Sequence, residues 1–141
     1  MSKKILICED NPVNRILLHD ILAIDGYEIM EASDGEMGFD LASEAMPDLV
    51  IMDIQMPVMN GYDAMRALRS QASTSGILII ALTSFAMPGD RERALNAGAD
   101  EYLSKPIDTR QVRALVRRMI GNESDRPKEV DRERRDDSLR G

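Results

Sequence analysis

Ile77 to Leu82 runs six residues without a polar side chain, and shorter runs of the same kind stand at Ile5 to Cys8 and Leu49 to Met52. A strand with one wet face alternates apolar and polar residues, whereas a strand covered on both faces has no need to. Between these runs lie segments whose apolar residues recur at helical spacing, bounded by capping residues and glycines. Parallel strands joined by helical crossovers cover both faces of such a sheet. That pattern constrains the chain to an α/β fold before any functional residue is considered.

The first expected strand is Lys4 to Glu9. Asn11 follows as an N-cap with Pro12 at the first helical position, and Val13, Leu17, Ile21 and Ile24 mark the expected core stripe of a helix that stops at Gly26. Tyr27 to Ala32 is a half-polar second strand, suited to a sheet edge. Asp34-Gly35 opens a helix through Ala45, which Pro47 ends. Asp48 to Asp53 is the third strand, and Asn60-Gly61 starts a helix through Gln71. After the turn at Ser73 to Gly76, Ile77 to Thr83 is the fourth strand. Pro88 stands near the start of a fourth helix that Gly98 terminates. The fifth strand is Glu101 to Ser104. Asp108 and Gln111 have capping-box spacing before a helix with Val112, Leu115, Val116 and Met119 on one face, ending at Gly121-Asn122.

Five such units predict a doubly wound, five-stranded parallel sheet over residues 1–121, two helices on one face and three on the other. Residues 122–141 hold seven acidic and six basic side chains with only Val130 and Leu139 as aliphatics. Such a segment buries too little apolar surface to offset its ordering entropy. We expect a charged, mobile tail; the alternatives are a solvated extension of the last helix or a linker.

Composition narrows the function. A net charge of −7 opposes direct nucleic-acid binding, which depends on Lys and Arg neutralising phosphates, and no Trp with two Phe and three Tyr leaves few platforms for base stacking. No apolar run approaches the roughly 20 residues of a membrane span, and no signal-peptide pattern opens the chain. The expectation is a soluble, cytoplasmic protein without a membrane partner. The single cysteine, Cys8, sits within a strand and reads as a small buried apolar residue.

The chemistry gathers at strand ends. Glu9-Asp10, Asp53, Thr83-Ser84 and Lys105-Pro106 each close or follow an apolar run, and open parallel sheets bind ligands at the carboxyl edge. Like charges 4 Å apart cost on the order of 4 kcal/mol at an effective dielectric near 20. Three carboxylates in one pocket therefore call for positive charge, from Lys105 and from a hard divalent cation. Oxygen-only ligands favour Mg²⁺, and no Cys/His cluster supports zinc. Asp53 is then placed to attack phosphorus and form an acyl phosphate. No nucleotide-cradling glycine motif is present, so the donor is another protein or a small phosphodonor. Thr83 and Lys105 could each bond a phosphoryl oxygen, worth roughly 3–6 kcal/mol together, against about 5.5 kcal/mol needed to reverse a 1:99 equilibrium.

Glu9-Asp10, Asp53 with Met56-Pro57 and Gly61, Thr83, and Lys105-Pro106 together resemble the receiver domain of bacterial two-component response regulators, over residues 3–120. The resemblance implies a flavodoxin-like (βα)₅ fold with strand order 2-1-3-4-5. It implies Mg²⁺ held by Glu9, Asp10, Asp53 and the backbone carbonyl of Gln55. Asp53 would be phosphorylated by a histidine kinase or histidine phosphotransfer protein and would slowly dephosphorylate itself. The same resemblance makes Lys105-Pro106 a cis peptide, puts Thr83, Ser84 and Lys105 at the phosphoryl group, and couples Tyr102 to Thr83 as a rotamer switch. A downstream protein target is implied, and a phosphorylation-dependent dimer is compatible with it.

The first helix, with Asn14, Leu17, His19-Asp20 and Leu22, and the stretch Thr83 to Gly89 are similar to single-domain regulators of the DivK type. Two other readings stay open: a receiver module from a larger hybrid kinase or output protein, and an aspartate-nucleophile phosphatase. The second would want an Asp where Gln55 stands. Leu18 and Leu22, outside the expected core stripe, are candidates for the kinase-docking face. Phe85 is expected over the pocket mouth, hindering attack by water. His19 reads as a surface or half-buried helix residue without a metal role. Arg110, Arg113 and Arg117 on the last helix form either a solvated face or part of a partner surface built from the last two helices and the last strand.

Overall fold

A computed structural model of the chain describes residues 2–84 and 87–121. Among the described residues the order is β1 (Lys4–Cys8), α1 (Pro12–Ile24), β2 (Glu28–Ala32), α2 (Gly35–Ala45), β3 (Leu49–Asp53), α3 (Gly61–Ser70), β4 (Leu78–Thr83), α4 (Asp90–Ala97), β5 (Glu101–Ser104) and α5 (Thr109–Ile120). The strands form one parallel sheet in the order β2-β1-β3-β4-β5, a flavodoxin-like arrangement. The Phe85 expectation and the tail after Gly121 lie outside the described residues.

Caps decide where helices start. The Asn11 side chain accepts from the amides of Val13 and Asn14, Asp34 from Met37, Asn60 from Asp63, and Asp108 from Arg110 and Gln111. Each satisfies donors that the first helical turn leaves without a partner. α4 differs: its N-cap is Gly89, with no side-chain hydrogen bond.

The sheet divides the core in two. On one face Ala42 of α2, Met65 and Leu68 of α3, and Ala94 of α4 pack on Leu6, Val50, Ile79 and Ala81. On the other, Leu18 and Leu22 of α1 and Val112, Leu115 and Val116 of α5 pack on Ile5, Ile7, Ile51 and Ile80. Three helices thus cover one face and two the other. β2, at the sheet edge, is exposed or half-buried except at Ala32.

α1 corrects the expectation from periodicity. Leu18 and Leu22 are 0% exposed, whereas Val13 is 72% and Ile24 79% exposed. The helix is turned so that Leu18 and Leu22 face the sheet, and neither can belong to a docking face. Burying two leucines contributes about 1.5–3 kcal/mol each, which fixes that rotation. A bidentate pair reinforces it: Arg113 of α5 donates to both oxygens of Asp25, at 2.9 and 2.7 Å. The hydrogen bond from Arg113 holds the Asp25 carboxyl below its usual range. Arg113 is therefore tied to α1, and Arg118 reaches Glu101.

Candidate functional site

The register of the sheet brings the chemical residues to one edge. Cys8 lies opposite Met52, Asp53 opposite Leu82, and Thr83 opposite Ser104. Glu9 and Asp10 are the first residues beyond β1, Asp53 and Thr83 are the last of β3 and β4, and Lys105 follows β5. The start of α3 lies close against the end of β3. The Gly61 amide donates to the Ile54 carbonyl at 2.8 Å. A Cβ on Gly61 would sit 2.4 Å from the carbonyl oxygen of Asp53, so only glycine fits without displacement.

Asp53 and Glu9 are almost wholly buried, at 1% and 0% exposure. The Asp53 carboxylate accepts from the Gln55 amide at 3.0 Å through Oδ1 and from Lys105 Nζ at 3.0 Å through Oδ2. Glu9 Oε2 accepts from the Asn11 amide at 3.1 Å and from Lys105 Nζ at 3.2 Å. Lys105 Nζ also lies 3.0 Å from Glu9 Oε1, but that buried oxygen has no partner in hydrogen-bonding geometry. Lys105 is anchored by its own amide, which donates to the Thr83 carbonyl at 2.7 Å, and the Lys105–Pro106 peptide bond is cis.

One carboxylate oxygen from each of Glu9, Asp10 and Asp53 lies within 4.8 Å of the others. Burial first, and then the Asp53 charge, push the Glu9 carboxyl up to about 7, although Lys105 and the Asn11 amide oppose this. For Lys105, burial pulls downward, but hydrogen bonds to Glu9 and Asp53 outweigh it and the ammonium is held more firmly than usual. One lysine does not balance three carboxylates. The orphaned Glu9 oxygen, the raised Glu9 carboxyl and the all-oxygen donor set suit a hard divalent cation such as Mg²⁺. No Cys or His joins the group, so it does not suit zinc. Cys8 is buried, and burial pushes its thiol far above the reactive range.

Thr83 is 3% exposed and borders a cleft of about 700 Å³ that also meets Gln55, Met56, Tyr62, Met87 and Arg93. The Arg93 guanidinium stacks over the Tyr62 ring at 4.6 Å, tying α4 to α3 across this cleft. Tyr102 is half-buried against the α4 side of the core; burial, then the nearby Asp90 charge, raise its phenol. Gln55 and Ser84 are exposed at the rim.

His19 is half-buried, and its Nδ1 meets the Glu31 carboxylate. Sequence reasoning passed over two residues: Arg15, whose Nη1 donates to the Glu9 carbonyl at 2.8 Å, and Glu31, which accepts from Arg15 Nε at 3.2 Å. The signal was faint, an arginine one turn into α1 and a glutamate in a half-apolar edge strand.

Residues 5–117 match the response regulator receiver domain. The polar-differentiation response regulators DivK of Brucella ovis and Brucella melitensis are each 37% identical over 122 residues, covering 86% of this chain and 99% of theirs. Among solved structures, the receiver domain of sensor histidine kinase PA1611 from Pseudomonas aeruginosa has a TM-score of 0.79 and 37% identity, covering 86% of this chain and 100% of that one. That structure holds a magnesium ion in its active-site cleft. The chemotaxis protein CheY4 of Vibrio cholerae has a TM-score of 0.80 and 28% identity, covering 85% of this chain and 100% of its own.

Proposed function

Because the chain belongs to the response regulator receiver domain family, we propose that it accepts a phosphoryl group on Asp53 from a histidine kinase or histidine phosphotransfer protein and thereby changes its protein contacts. The observation that carries this reading is the buried Asp53 carboxylate, held at 3.0 Å by Lys105 beside two further carboxylates. An Asp53 oxygen attacks phosphorus, the phosphorus–nitrogen bond of the donor phosphohistidine breaks, and the imidazole leaves with that electron pair. Glu9, Asp10, Asp53 and the Gln55 carbonyl would hold Mg²⁺, which supplies charge neutralisation on the transferring group. Lys105 stays paired with the phosphoryl oxygens after transfer. The Thr83 hydroxyl, with Ser84 beside it, donates to another oxygen, and Tyr102 follows Thr83 inward. The chain catalyses only its own phosphorylation and dephosphorylation, in the cytoplasm. No helix among the described residues is long and apolar enough to cross a membrane.

The donor would meet α1. Val13 and Ile16 are 72% and 57% exposed and share the outward face with Ile24, a second apolar stripe that the core does not use. Ile16→Asp should slow transfer from a phosphohistidine protein while leaving uptake from acetyl phosphate unchanged.

The direct test is incubation of the full chain with Mg²⁺ and acetyl phosphate, read by intact mass. A single phosphoryl adduct should form, and Asp53→Asn should abolish it. An undiminished adduct in that variant overturns the reading. Steady turnover of a phosphate ester would instead favour an aspartate-nucleophile phosphatase. The match to DivK over 99% of its length supports a stand-alone regulator. Equal identity to a kinase's receiver domain favours, as the second reading, a module of a larger protein. The mass of the native protein separates the two.

A further inference from the structure

A polar tie between α1 and β2 touches the acidic group from behind. Arg15 Nη1 donates to the Glu9 carbonyl at 2.8 Å, and Arg15 Nε donates to Glu31 Oε1 at 3.2 Å. The other Glu31 oxygen meets His19 Nδ1. The Arg15 side chain is only 22% exposed, so this is not a loose surface pair.

The backbone explains what the tie accomplishes. The Glu9 amide donates to the Ala32 carbonyl at 3.0 Å, so the peptide before Glu9 is fixed by the sheet. The peptide after Glu9 lies past the end of β1. Its carbonyl is held by Arg15, and its plane sets the direction in which Asp10 leaves the chain. Asp10 is exposed, yet its carboxylate converges with those of Glu9 and Asp53. We propose that Arg15 is a positioning residue for the divalent-cation site: it locks the Glu9–Asp10 peptide so that both carboxylates face Asp53, and Glu31 holds Arg15 in place. The inference rests on reading these three carboxylates as the metal ligands.

Coulomb's law separates positioning from charge. Removing a cation from beside an acidic site should strengthen Mg²⁺ binding; losing the alignment of its ligands should weaken it. Lysine can reach a carbonyl but cannot bridge to Glu31 with the same planar fork, so Arg15→Lys should rescue only in part.

The test is calorimetric titration of the full chain with MgCl₂, with thermal unfolding in the absence of metal alongside. Arg15→Ala is expected to weaken Mg²⁺ binding about 10-fold or more, with Arg15→Lys and Glu31→Gln in between. Arg113→Ala, which breaks the distant tie to Asp25, should lower the unfolding temperature and leave Mg²⁺ affinity alone. Affinity in folded Arg15→Ala within about twofold of the wild type overturns the proposal, as does an equal loss in Arg113→Ala. If Arg15→Ala does not fold, Arg15→Lys, which keeps the charge and loses the planar fork, decides by the same criterion. A wild-type chain that binds no Mg²⁺ would overturn the metal-site assignment itself, and the role of Arg15 with it.

Discussion

Glu9 lies buried beside Asp53 with one ammonium between them, and its carboxyl is pushed up to about 7 from an ordinary 4.5. A carboxyl raised on folding contributes stability that is complete below its unfolded value and disappears as pH rises through the folded one. Without Mg²⁺, stability should therefore fall between about pH 4.5 and 7, by on the order of 2 kcal/mol from this group. Urea midpoints at about pH 5 and about pH 8 measure the fall; Glu9→Gln should flatten it, and Mg²⁺ should restore stability at the higher pH. A second local strain lies at Val58, which has φ 69. The Met59 amide closes a tight turn on the Pro57 carbonyl at 2.7 Å around it. A β-branched residue in that region stores roughly 1–3 kcal/mol. Val58 is 76% exposed and packs on little, so Val58→Asn should stabilise by about 1 kcal/mol, seen as a higher urea midpoint at unchanged slope.

At the scale of elements, the strands and caps were legible because each rests on local chemistry. Asn11, Asp34, Asn60 and Asp108 cap the helices the sequence suggested, and the strand ends fall within one residue of expectation. The rotation of α1 was not legible. Val13, Leu17 and Ile24 recur at helical spacing as regularly as Leu18 and Leu22 do, and periodicity cannot say which stripe meets a sheet. The tie from Arg15 to Glu31 escaped for a related reason: it joins α1 to a strand whose register no local signal specifies. The α3 junction shows how an element controls the site. Gly61→Ala would drive a methyl into the Asp53 carbonyl, 2.4 Å away, and α3 or the end of β3 must shift. We expect a loss of roughly 1–3 kcal/mol, typical of overpacking, measured by urea unfolding. Phosphoryl uptake on Asp53 should fall with it, because the residue displaced is the acceptor.

Across the whole molecule, the convergence of Glu9, Asp53, Thr83 and Lys105 on one edge was legible because a parallel sheet points every strand the same way. Order of stability was not, since it depends on how much each helix buries. α5 buries Val112, Leu115, Val116 and Ile120, and α3 buries Met65 and Leu68. α4 spans eight residues, buries only Ala94 and Ala97, and starts from a glycine without a side-chain cap. Two alanines leave little apolar area to hold a helix that is too short to persist alone. α4 also borders the cleft at Thr83 and carries Asp90 beside Tyr102. The element nearest the proposed switch is thus short, lacks a side-chain cap and is held to the core by two alanines, which suits it to move without unfolding the sheet. Hydrogen–deuterium exchange should show amides of Asp90–Ala97 exchanging about tenfold or more faster than those of α3 and α5. Phosphorylation of Asp53 should alter protection in α4 and around Tyr102 before any other helix responds. Uniform exchange across the five helices would leave the switch without its mobile part.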